Sequence, residues 1–192
     1  MGTAKSGDDL KFGILWALAN LLGWAVAGWL SIALTGLTGG ANGELLIIPC
    51  GLAIGFAQWL VLAKRFSRSG WLILAYGLGW YVGLWIGYST GFLTPEPVTL
   101  GAAGGIIVGV MQWLVMKRRA RRAWVWIPAL AASSTFGCWL GVHAGIRVNE
   151  ATSLGTAMVY AVGGAVAGAV IGLLSGAVLI VLTRPDRQVT GG

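Results

Sequence analysis

Gly51-Leu-Ala-Ile-Gly55-Phe-Ala-Gln58-Trp59-Leu60-Val61-Leu62 returns without a gap as Gly105-Ile-Ile-Val-Gly109-Val-Met-Gln112-Trp113-Leu114-Val115-Met116. The offset is 54 residues, and both copies run into a basic segment. Repetition at such a period marks one supersecondary unit used several times. Tryptophans on the preceding segments echo it. Trp16, Trp71 and Trp126 stand near one end, Trp24 and Trp80 midway, and Trp29, Trp85 and Trp139 further on. A third copy, Gly168-Ala-Val-Ile-Gly172-Leu-Leu-Ser175-Gly176, keeps the glycine pair but has Ser-Gly where the others have Gln-Trp. That exchange removes side-chain volume, so a cleft is expected first in the third hairpin, at this break.

The repeated unit is a membrane hairpin. Of 192 residues, 57% are apolar and 10% charged, with a mean hydropathy of +0.80. A soluble domain carries about 25% charged residues. Six apolar runs approach the roughly 20 helical residues that span a bilayer core: Phe12–Leu37, Glu44–Ala63, Trp71–Leu93, Val98–Met116, Ala123–Ile146 and Leu154–Leu182. They do not alternate as barrel strands do. The expected fold is therefore an all-α integral membrane protein of six transmembrane helices in three hairpins, 12–63, 71–116 and 123–183. Residues 1–11 and 184–192 form the flanking segments.

Charge orients the bundle. Twelve cations fall on the N-terminal side: Lys5, Lys11, Lys64, Arg65, Arg68, Lys117, Arg118, Arg119, Arg121, Arg122, Arg184 and Arg187. Arg147 alone falls on the other. Under the positive-inside rule both termini are cytoplasmic. The net charge of +7 is then a topology signal and does not imply nucleic acid. The run Lys117–Arg122 also suits anionic lipid headgroups.

Glycines recur every four residues: Gly79, Gly83, Gly87, Gly91; Gly101, Gly105, Gly109; Gly137, Gly141, Gly145; Gly164, Gly168, Gly172, Gly176. With Gly51 and Gly55 they form small-residue stripes that let helix backbones approach closely, a glycine-zipper style of packing. An unused stripe would serve self-association.

The repeated Gly-x-x-x-Gly-x-x-Gln-Trp-Leu-Val motif, followed by basic residues, a Trp and a glycine-rich helix, resembles uncharacterised multi-pass membrane proteins of cyanobacteria and related bacteria. The resemblance covers most of residues 45–145. It implies a bacterial cytoplasmic or thylakoid membrane and no particular activity.

Polar residues within membrane spans are candidates for function. They are Asn20, Gln58, Gln112, Ser175, Ser133-Ser134-Thr135, Ser89 and His143, with no charged residue mid-span. That pattern argues against proton pumps, voltage sensors and paired-carboxylate catalysis, which need buried charge. Gln58, Gln112 and Asn20 fall at similar depth, either as an interhelical hydrogen-bond layer or as a girdle for a headgroup or small solute. His143, the lone histidine, is read as interfacial or internally bonded, with a haem or pigment ligand as the alternative. Gly87-Tyr-Ser89-Thr-Gly91 matches G-x-S-x-G but lacks the strand-turn-helix setting of a nucleophile elbow. Glu44, Glu96 and Glu150 each precede an even-numbered run, where a carboxylate favours the positive helix end; an acidic ring at a pore mouth is the other reading. Cys50 and Cys138 are expected in the far half, as buried thiols or a disulfide pair.

The expected function is non-enzymatic: a scaffold or accessory subunit of a membrane complex, or a homo-oligomer, with no cofactor. The alternative is a facilitator for a small neutral or lipid-like solute, with the amides lining its route. An intramembrane serine hydrolase using Ser89 and His143 comes third.

Overall fold

The computed structural model describes residues 3–39, 47–66, 70–89, 97–117, 122–151 and 155–183. Among them the chain is helical: α1 (Thr3–Thr38), α2 (Ile47–Phe66), α3 (Trp71–Ser89), α4 (Pro97–Met116), α5 (Trp126–Ala151) and α6 (Thr156–Thr183). One 3-10 turn, Ala123–Val125, leads into α5. Prolines respect the helix starts. Pro97 opens α4, while Pro49 and Pro128 stand in the first turns of α2 and α5, where a missing N–H costs nothing. Gly39, at φ +61°, ends α1 in the left-handed conformation usual after a helix.

Four segments are long and apolar enough to cross a membrane: Gly7–Thr38, Pro97–Met116, Ala123–Glu150 and Thr156–Leu182. Helices α2 and α3 carry shorter apolar stretches, Ile47–Ala63 and Trp71–Ile86. The first helix begins at Thr3, nine residues before the apolar run at Phe12, so most of the polar N-terminal segment is helical as well.

Each helix packs on its neighbours in sequence, and α6 packs on α1, closing a ring. Adjacent helices run antiparallel. The basic end, with Lys11, Lys117 and Arg122, carries the starts of the odd helices, and Arg147 lies toward the far end. Glycines mark all six contacts. Gly23 meets Ile54 on α2, Gly51 meets Gly77 on α3, and Gly79 meets Val108 on α4. Gly105 meets Ala131 on α5, Gly141 meets Gly163 on α6, and Gly168 meets the Asn20 carbonyl on α1. A Cβ at Gly168 would land on that carbonyl oxygen, so α6 and α1 approach as closely as they do only because the position carries none.

Burial corrects the register of the repeat. Trp16 and Trp126 are fully buried and meet edge to face, their rings 6.1 Å apart. Trp71 is 68% exposed, and Leu72 takes the buried place instead. The offset from α1 to α3 is thus 56 residues (Trp24 to Trp80, Asn20 to Tyr76), against 54 from α2 to α4.

Candidate functional site

The basic half of the ring is filled in layers. Trp16, Leu72 and Trp126 from the odd helices lie with Leu62, Met116 and Leu179 from the even ones. Above them the polar candidates converge into one chain of hydrogen bonds. Trp126 Nε1 donates to Gln112 Oε1 at 2.8 Å, and Gln112 Nε2 donates to Gln58 Oε1 at 3.0 Å. Gln58 Nε2 donates to Asn20 Oδ1 at 2.8 Å, and Asn20 Nδ2 to the Trp16 carbonyl at 2.9 Å. On the other side, Trp16 Nε1 donates to Ser175 Oγ at 3.0 Å, and Ser175 Oγ to the Ile171 carbonyl at 2.6 Å. The chain crosses α5, α4, α2, α1 and α6. The remaining helix, α3, contributes Tyr76, buried among Trp24, Trp80 and Gln58.

Such a network holds because each amide finds a neutral complement where no water can reach. A buried amide left unpaired would cost about 1–3 kcal/mol. The repeat supplies the geometry: two glutamines 54 residues apart occupy equivalent places on α2 and α4 and reach one another.

The break in the third copy is packed. A Cβ at Gly176 would lie 2.8 Å from Cδ1 of Trp16, so the Trp16 indole occupies the space that Ser175-Gly176 leaves. An aromatic ring from α1 fills the space at the break itself, while the third hairpin lines a cavity further along α5 and α6, from Cys138 to Asn149 and from Thr156 to Ala167.

The open space is at the far end. A cavity of about 960 Å³ is lined by residues of all six helices. Trp24 and Trp80, in edge-to-face contact at 5.4 Å, border it toward the polar layer together with Ile54 and Ala167. Thr35, Pro97, Asn149 and Thr156 border it toward the far end. Neither Asn20, Gln58, Gln112 nor Ser175 lines it. Two of its hydroxyls are bonded within α1: Ser31 Oγ donates to the Gly28 carbonyl at 2.7 Å, and Thr35 Oγ1 to Ser31's at 2.7 Å. Cys50 and Cys138 are both free thiols on its wall, and Cys50 Sγ donates to the Ala27 carbonyl at 3.4 Å. The residue pattern hides this cavity because its lining is drawn from six helices at once, with glycine at Gly28, Gly51, Gly141, Gly145, Gly163 and Gly164.

The remaining candidates lie apart from both features. His143 is exposed, its ring 4.7 Å from that of Trp139 and its Nδ1 2.8 Å from the Trp139 carbonyl. The backbone of Gly87 and Ser89 belongs to α3, but the Ser89 side chain and Gly91 lie outside the described residues, as do Glu44 and Glu96. Glu150 sits in the last turn of α5, six residues before α6 begins at Thr156, so it caps no helix start. It pairs instead with Arg147 at 3.4 Å, exposed to solvent. Of the basic run 117–122, Lys117 lies over the Trp113 ring at 5.2 Å and Arg122 is exposed; 118–121 lie outside the described residues.

No protein-family model matches the chain, and neither a curated protein nor a solved structure matches it.

Proposed function

We propose that the chain is a bacterial multi-pass membrane protein of six spans, both termini cytoplasmic, that works without catalysis as a scaffold or accessory subunit of a membrane complex, or as a homo-oligomer. The carrying observation is that the buried amides Asn20, Gln58 and Gln112 and the indoles of Trp16 and Trp126 are joined in one hydrogen-bonded chain, with no charged side chain among the buried residues described. The apolar exterior supports membrane insertion. Trp29, Trp85 and Trp139, between 40% and 58% exposed, project from the three odd helices at equivalent places, as an interfacial aromatic belt or a partner-binding surface would require. Twelve cations toward one end support the orientation, and Lys117–Arg122 would meet anionic headgroups there. Glycines at the helix contacts, such as Gly51, Gly105, Gly141 and Gly168, support close packing within the bundle, since a neighbouring helix already meets each of them.

The experiment is purification from the membrane in mild detergent, with mass, absorbance spectrum and co-purifying molecules recorded together. A defined assembly heavier than one chain, or a reproducible partner, is the expected result. A colourless monomer that conducts solute after reconstitution would overturn the reading and favour a facilitator. The far-end cavity favours that second reading, although its route would have to pass a closed amide layer. Absorbance from a haem or pigment would overturn the absence of a cofactor. A hydrolase would require activity lost in both Ser89→Ala and His143→Ala.

A further inference from the structure

The cavity is as informative as the layer below it. Its volume, about 960 Å³, is at the upper end of the range for small-molecule sites, about 300–1,000 Å³. It is long as well as large. The stretch of α1 that lines it, Trp24 to Thr35, spans about 16 Å at helical rise.

Its chemistry is apolar along that length. The wall is built from Ala27, Ile54, Leu84, Cys138, Val159 and glycine backbone, over a floor of two indoles. Ser31, Thr35 and Cys50 spend their donors on carbonyls of α1. Asn149 and Thr156 stand at the far end, and Tyr160 lines the wall level with Gly28. Water gains little in such a space, because an apolar cavity offers it too few partners. An empty void would forfeit the dispersion contacts of every lining atom. What fits is a long hydrocarbon with one polar end.

The cavity is also open to the outside. Val142, Ile146 and Tyr160 line it and are each 45–52% exposed. In a bilayer those residues would stand where acyl chains are the solvent.

We infer that the far-end cavity binds the hydrocarbon chain of one membrane lipid, laid along α1 with its methyl end on the Trp24–Trp80 floor and its headgroup at Asn149 and Thr156. The inference rests on the membrane reading above. The floor sets the depth to which the chain inserts, and the amide layer under it keeps the chain from passing through.

The test is native mass spectrometry of the full chain released from nanodiscs of palmitoyl-oleoyl phosphatidylcholine and phosphatidylglycerol. One lipid per chain should survive activation that strips the rest. Ser31→Phe, which puts a ring into the cavity, should reduce that retained fraction about tenfold or more. Leu84→Phe does the same from α3 and serves if Ser31→Phe does not fold. Leu18→Phe, on the exposed face of α1, should leave retention unchanged. No retained lipid in the wild-type chain, or equal retention in folded cavity-filled variants, would overturn the proposal. Recovery of the chain in the soluble fraction would instead overturn the membrane reading on which it rests.

Discussion

The two halves of the ring are made from the same repeat and differ in what fills them. Toward the basic end, Trp16, Trp126, Asn20, Gln58, Gln112 and Ser175 leave no space and no free donor among themselves. Toward the far end, glycine, alanine and cysteine stand among the larger lining residues, and about 960 Å³ stays open. Large side chains at one level and small ones at the next therefore decide where the bundle is solid and where it is hollow. The glycine stripes run through both halves and set only how near the helices stand.

Substitutions can break or sharpen that contrast. The largest effect is expected at the α6–α1 seam, where Gly168→Leu places a branched side chain on the Asn20 carbonyl. Overpacking of this kind costs about 3 kcal/mol or more, and no monodisperse folded protein should be recovered by size-exclusion chromatography. Gly145, whose nearest foreign atom to an added Cβ is 3.5 Å away, should accept alanine with unfolding shifted by less than about 0.5 kcal/mol.

Within the polar layer, Gln58→Leu strands both Asn20 Oδ1 and Gln112 Nε2. A loss of about 2 kcal/mol is expected in reversible unfolding from mixed micelles. A loss below the membrane average of about 0.6 kcal/mol per side-chain hydrogen bond would mean that water or a neighbour replaces the amide. Ser175→Ala removes one acceptor, that of the Trp16 indole, and should cost about 1 kcal/mol.

The smallest effect belongs to the hollow half. Ser31 bonds only to its own helix and faces the cavity, so Ser31→Val should change stability by no more than about 0.5 kcal/mol in either direction. If Ser31→Val were as costly as Ser175→Ala, the two halves would not differ as described.

The sequence made some of this visible. Gln58 and Gln112 are equivalent in the repeat, and the structure puts them in contact. Positions i and i+4 of a helix share a face, so the glycine stripes could be read before any neighbour was known. Other features are tertiary and left no local trace. Trp71 and Leu72 exchange roles because α3 enters the ring one residue out of step with the visible tryptophan spacing. Trp16 fills the gap at Ser175-Gly176 from across a helix boundary 159 residues distant in the chain. Glu150 looked like a helix start, and belongs to the end of the helix before it. The cavity is lined from six helices at once, a tertiary arrangement that apolar composition does not encode.

The most direct test of the solid-and-hollow account is a crystal structure grown from a lipidic mesophase at a resolution that shows ordered water. The account predicts an unbroken, water-free chain from Trp126 through Gln112 and Gln58 to Asn20, with elongated density above the Trp24–Trp80 pair. A file of water running past the amides, or far-end helices collapsed onto one another with no space between them, would contradict it.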